Sequence, residues 1–212
     1  MTATVRARAD LRPDLQHIAN MIAPNTRVLD IGCGDGALLE HLVHSKQCDG
    51  RGVELSQAGV HACVSHGLSV IQGDADTDLE HYPDQSFDYI VLSQTLQAMR
   101  QPRAVLSHLV RIGQHAIVSI TNYGYWRTRL SLVIQGRMPI VGEPGHHWYD
   151  SPNIHLCTTR DFLDLCKELD LDVERGLSID RRGSARPVTM IDRLTNLRDE
   201  QGVFMLARGN NR

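Results

Sequence analysis

The chain has 212 residues, 42% of them hydrophobic, and a formal net charge of −3. That length suits one core of ordinary size and is short for two; the mildly acidic balance speaks against a general nucleic-acid binder, and no apolar run approaches the ~20 residues of a membrane span. Five cysteines, at positions 33, 48, 63, 157 and 166, form no C-x-x-C pair, which argues against a zinc ribbon or a disulfide framework.

Residues 1–10 read as a flexible N-terminal arm without the apolar core of a secretory signal, and 11–212 as a single domain of a cytoplasmic protein. Leu15, Ile18, Ala19 and Ile22 recur on one face of a leading helix over 14–23. An apolar strand over 27–31 then runs straight into Gly32-Cys33-Gly34-Asp35-Gly36, and a helix follows over 37–44. Glycines at such a turn let the backbone bend tightly and approach a ligand without Cβ atoms in the way, and the helix N-terminus points at that ligand. Cys33 inside the turn reads as a small packing residue.

The spacing Gly32-x-Gly34-x-x-Ala37 also fits the dinucleotide fingerprint, so a nicotinamide cofactor stays open on the glycines alone. Asp30 argues the other way. A carboxylate two residues before the first glycine faces a pyrophosphate with like charge, but suits a ligand carrying an ammonium and a sulfonium, such as S-adenosylmethionine. Glu54 ends the next strand, over 50–54 and before Leu55, where an acid accepts both ribose hydroxyls of either cofactor. Ser56 caps a helix that runs to Gly67, and a strand over 69–72 delivers Asp74 and Ala75, with Asp76 beyond, where a carboxylate takes an adenine amino group.

The fourth strand is 87–92, leading to Ser93 and Gln94. A helix over 102–112 carries Val105, Leu106, Leu109 and Val110 inward, stops at Gly113 and leads into a fifth strand over 116–120. These alternating elements predict a doubly wound α/β sheet that binds its ligand at the carboxyl ends of the strands, where Asp30, Glu54, Asp74, Ser93 and Gln94 all fall. A helix over 125–135 ends at Gly136, and the glycine- and proline-rich segment 137–152 is long for a loop, as segments covering a site are. Thr158 or Thr159, with Asp161, starts a further helix, and strands near 171–179 and 202–207 complete the sheet.

On the acceptor side of such a site stand Gln97 after the fourth strand, Tyr123, Trp126 and Arg127 after the fifth, and Trp148, Tyr149 and His155 in the long segment. Aromatics with an arginine enclose small anionic or amino-acid-like ligands; the favoured alternative is that Trp126 and Trp148 pack the helix and loop together or meet a partner protein, where such residues are enriched. Gln94 and Gln97 read either as methyl-side groups or as loop residues bonded to backbone. His146, His147, His155 and Cys157 match no common metal spacing, so no metal is expected. The arginines of 181–186, with Arg193 and Arg198, read as a solvated loop face, with an acidic partner surface as the alternative.

The run 28–36 with Glu54 and Asp74 resembles the motifs of class I S-adenosylmethionine-dependent methyltransferases. More narrowly, Phe87-Asp88-Tyr89-Ile90-Val91-Leu92-Ser93-Gln94-Thr95-Leu96-Gln97, Gly136-Arg137-Met138-Pro139 and Trp148-Tyr149-Asp150-Ser151-Pro152-Asn153-Ile154-His155-Leu156-Cys157 resemble the MetW family of bacterial methionine biosynthesis, and the likeness extends from about 11 to 208. It implies a mostly parallel, Rossmann-like sheet of seven strands with the last antiparallel. It also implies binding of S-adenosylmethionine or S-adenosylhomocysteine, and a role as partner of homoserine O-acyltransferase. Gln97 lies where many small-molecule methyltransferases of this kind carry a histidine. An active small-molecule methyltransferase, with the long segment as acceptor lid, is the alternative; a fold does not by itself imply methyl transfer.

Overall fold

The computed structural model describes residues 11–138, 149–188 and 195–209. In chain order the elements are α1 (Pro13–Met21), β1 (Arg27–Ile31), α2 (Ala37–Lys46), β2 (Asp49–Glu54), α3 (Gln57–Ser65), β3 (Ser69–Gln72) and α4 (Ala75–Asp78). There follow β4 (Phe87–Ser93), α5 (Pro102–Ile112), β5 (Gly113–Thr121), α6 (Trp126–Gln135), α7 (Thr159–Glu168), β6 (Leu171–Ile179), β7 (Ala185–Pro187), α8 (Thr195–Arg198) and β8 (Gln201–Arg208). The strands form one sheet in the order β3-β2-β1-β4-β5-β8-β6-β7.

Strands β1 to β5 are parallel, and β8 runs antiparallel between β5 and β6. The central strands are buried on both faces, which is why they read as continuous apolar runs rather than alternating ones. Leu29, Ile31, Ile90, Leu92 and Val118 pack against α5 and α7, while Val28, Val91 and Ile117 pack against α1 and α2. Side-chain alternation along β1 therefore turns Asp30 toward the α1–α2 side, as it does Val28.

The sheet has eight strands among the described residues where seven are expected. The addition is β7, a three-residue edge strand paired antiparallel with β6 through Ile179 and Ala185, so part of the arginine-rich stretch is strand rather than loop. Local start and stop signals are where the sequence puts them. Ser56 Oγ accepts from Gly59 N at 3.1 Å, Thr158 and Asp161 close a reciprocal capping box on α7, and Gly136 ends α6 with a positive φ of 61°. Gly113 differs: it is extended and already the first residue of β5.

The strand order reverses between β1 and β4, the neighbours on either side of which run to opposite edges. At such a switch point the loops leaving the carboxyl ends diverge and open a crevice, and this is where the candidate site lies.

Candidate functional site

A cavity of about 650 Å³ opens at that crevice, bounded by the ends of β1 (Ile31, Gly32), β2 (Glu54, Leu55) and β3 (Gly73 to Asp76), and by Gln94, Thr95 and Ala98 to Arg100 after β4. Pro152 and Asn153 close it from the segment before α7. Six of the predicted cofactor residues line it: Gly32, Glu54, Leu55, Asp74, Ala75 and Gln94. Asp30, Cys33, Gly34 and Ser93 are not in the lining; Asp30, Cys33 and Ser93 each adjoin a lining residue in the chain, and Gly34 N bonds to Glu54.

The glycine turn is built for close approach. Gly32 has φ +70°, and a Cβ there would lie 2.8 Å from Thr95 Oγ1. Gly34 has φ +58° and open space where its Cβ would project. A side chain at Gly34 would thus be strained and would fill volume the fold leaves free. Glu54 fixes the turn: Gly34 N donates to Oε2 at 2.9 Å and Ser56 N donates to Oε1 at 2.8 Å. Each carboxylate oxygen retains a lone pair for a further donor, which is what a pair of vicinal hydroxyls requires.

Asp30 is 3% exposed, and its carboxyl accepts no hydrogen bond among the described residues. Burial, reinforced by the charge of Glu54, pushes it up to about 7. A buried carboxyl without a partner is costly to ionise, and a cation placed beside it would offset that cost. Cys33 is buried with its Sγ 3.9 Å from that of Cys63, and burial, with the charge of Asp30, pushes the thiol far above its ordinary range. It packs the turn and forms no thiolate near neutral pH.

Asp74 caps α4 by accepting from Asp76 N at 3.0 Å, and it also takes a hydrogen bond from Arg100 Nη2 at 2.5 Å. Asp76 accepts from the backbone N–H groups of Arg100 and Gln101 at 2.9 and 3.0 Å. Burial acts to raise the Asp76 carboxyl, but those bonds and the Arg100 guanidinium outweigh it and hold it below the usual carboxylate range. Arg100 thus ties the loop after β3 to the loop after β4 across the mouth of the cavity, a role that sequence spacing does not signal. Leu55, 66% exposed, presents an apolar face to the same space.

Gln94 has a positive φ of 54°, its N–H donates to Ser119 Oγ at 2.9 Å, and its side chain donates to Asp14 Oδ2 at 3.0 Å, tying α1 to the floor of the site. Ser93 Oγ pairs with Ser119 Oγ at 3.2 Å. Gln97 is 2% exposed; its amide donates to the Thr121 carbonyl at 3.1 Å and accepts from Thr121 N at 2.9 Å. Its own carbonyl accepts from Ile154 N and His155 N, both at 2.9 Å. Both ends of that amide are engaged in holding the end of β5 and the segment 153–157 in place, which is the backbone-bonding reading of this residue.

The acceptor-side candidates are not gathered at the cavity. Tyr123 is half-buried and its N–H donates to the Cys157 carbonyl at 3.1 Å. Trp126 and Arg127 are exposed on α6, with the guanidinium 5.3 Å from the indole ring centre. Tyr149 and His155 are exposed. Trp148 lies outside the described residues, as do His146, His147 and Arg193. Among the described residues no group of three or more His, Cys, Asp or Glu is placed to hold a metal ion, and no helix is long and apolar enough to cross a membrane.

Residues 12–206 match the family described as "Methionine biosynthesis protein MetW". The chain belongs to the MetW family. It is 32% identical over 211 residues to the "Bifunctional methionine biosynthesis protein MetXA/MetW" of Rhodopirellula baltica, a match covering 94% of this chain and 33% of that one. The chain spans about a third of the length of the curated relatives it matches. Among solved structures, a Thermotoga maritima S-adenosylmethionine-dependent methyltransferase superposes with a TM-score of 0.66 at 16% identity, covering 92% of this chain and 87% of that one. A Haloferax volcanii complex with the Trm112 methyltransferase activator gives a TM-score of 0.68 at 17% identity, covering 93% and 90%. At those identities the likeness establishes a methyltransferase fold for this MetW chain.

Proposed function

We propose that this MetW chain binds S-adenosylmethionine or S-adenosylhomocysteine at the carboxyl edge of β1 to β4 and acts in the cytoplasm as an accessory or regulatory partner of homoserine O-acyltransferase. The buried, unpartnered Asp30 behind the glycine turn carries the cofactor half of the reading. A pyrophosphate there would meet Asp30 and Glu54 with like charge, whereas a ligand with an ammonium group, and a sulfonium in the methylated form, offsets the cost of ionising Asp30. The other groups fit the rest of that ligand: Glu54 the ribose hydroxyls, Asp74 the adenine amino group, Leu55 the face of the base, and Gly32 and Gly34 the close backbone approach. When bound, S-adenosylmethionine supplies an activated methyl group; the chain's own residues position and neutralise it.

The partner half rests on the Rhodopirellula baltica relative, whose name joins MetXA to MetW in one bifunctional protein. Fusion keeps two modules at high effective concentration, an arrangement that favours parts that work together. Gln97 speaks against base-assisted methyl transfer at this position: a neutral amide stands there with both ends bonded to the backbone of Thr121, so it supplies no general base. Calorimetric titration combined with turnover of methyl-labelled S-adenosylmethionine tests this directly. The expected result is saturable binding of S-adenosylhomocysteine, much weaker binding of NAD, and no transfer of label to homoserine derivatives. Preference for NAD would overturn the cofactor assignment, and sustained label transfer would favour an active methyltransferase.

A further inference from the structure

Helix α6 leaves the end of β5 and has Thr128 as its one buried residue. Trp126, Leu130, Val133 and Ile134 fall at i, i+4, i+7 and i+8, a single stripe on one face, with Leu132 also exposed. Val133 is 81% exposed and Ile134 71%. Single exposed apolar residues are ordinary, but a continuous stripe of this size on a well-formed helix, left open among the described residues, is the kind of surface that marks an interaction site.

The charge on the helix says what kind of molecule. Arg127 and Arg129 lie within α6 and Arg137 follows it, with no aspartate or glutamate anywhere in 123–138. Arg127 lies over the Trp126 ring at 5.3 Å and Arg129 Nε donates to the Gly124 carbonyl at 2.7 Å, so both exposed cations lie close to the helix that carries the stripe. A second copy of the same face would offer those arginines no carboxylate from 123–138 to pair with. The complementary surface is an apolar groove rimmed by carboxylates.

The root of the helix is rigid and shares its anchor with the cavity. Asn122 is buried; its side chain donates to the Asn196 and Asp199 carbonyls and accepts from Gly124 N and Thr159 N. The preceding residue, Thr121, is the one clamped by Gln97, next to Ala98 and Met99 of the cavity wall. Whatever docks on α6 therefore sits on the framework that shapes the cofactor site.

We propose that the apolar, arginine-bearing face of α6 is the surface on which this chain docks the acyltransferase, through an apolar groove with an acidic rim on that enzyme; this rests on the partner reading above. The test is binding of purified homoserine O-acyltransferase to the wild-type chain and to the double variant Val133→Asp/Ile134→Asp. The helix already exposes both side chains, so the fold should survive. The wild type is expected to bind, and the variant to lose tenfold or more in affinity while its S-adenosylhomocysteine titration stays unchanged. Equal binding by the two would overturn the surface while leaving the partner reading intact, whereas a wild type that does not bind the acyltransferase would overturn both. Self-association of the wild type that the variant abolishes would assign the face to a second copy, and sedimentation of the wild type with phosphatidylglycerol vesicles, lost in the variant, would assign it to a membrane surface; either result overturns the proposal.

Discussion

Replacing Glu54 by alanine is expected to weaken S-adenosylhomocysteine binding about a hundredfold, measured by calorimetric titration. Glu54 is assigned two kinds of bond at once. Its oxygens accept from Gly34 N and Ser56 N, which sets the shape of the glycine turn, and their remaining lone pairs face the space given to the ribose hydroxyls. Charge-assisted bonds of this sort contribute roughly 1.5–3 kcal/mol each, and the alanine variant removes the ligand bonds together with the turn's anchor. Stability should change little by comparison, because the freed N–H groups are exposed and turn to water. Glutamine in place of Glu54 should do nearly as much damage, since its amide brings a donor against one of two donors.

Asp30→Asn is expected to move stability and binding in opposite directions. In the ligand-free chain Asp30 sits at about 7 against an ordinary 3.8, so the folded state holds a proton that the unfolded state releases. Its contribution to stability is fully present below about pH 4 and is lost as pH rises through 7. Asparagine removes that loss, and the variant should be more stable than wild type at pH 8 by about 1–3 kcal/mol, read from thermal or urea unfolding. Binding runs the other way. A cationic cofactor favours the ionised carboxyl, so wild-type affinity should rise with pH up to about 8 and binding below pH 7 should release a proton. Asparagine should cost about tenfold or more at pH 8 and little at pH 5.5. A variant that lost stability at pH 8, or affinity equally at both pH values, would contradict this account of Asp30.

Much of the fold was legible because its determinants are local. Val28, Leu29 and Ile31 are buried on both faces of the sheet, so they form an unbroken apolar run, and the glycines that end it must sit where the backbone takes positive φ. Ser56, Thr158 with Asp161, and Gly136 signal helix ends through bonds made within four residues. The strand β7 was not legible: Ala185, Arg186 and Pro187 show no apolar alternation, and only the register with β6 makes them a strand. Within the site, the acids at strand ends could be picked out, and their surroundings could not. The burial of Asp30 without a partner, the hold of Arg100 on Asp74 and Asp76 across 24 or more residues, and the clamp of Gln97 on Thr121 all arise where separate loops meet. The stripe on α6 shows the complementary difficulty, since periodicity identifies an apolar face but not whether the same chain covers it.

The central claim is that a cofactor site on a methyltransferase fold serves a partner enzyme. Homoserine O-acyltransferase activity, measured with and without this chain across a range of S-adenosylhomocysteine concentrations, tests it most directly. The expected result is that activity depends on the chain, that the cofactor shifts it in a saturable way, and that the shift, though not the dependence itself, is lost with Glu54→Ala. Acyltransferase activity that is the same with and without the chain at every cofactor concentration would contradict the claim.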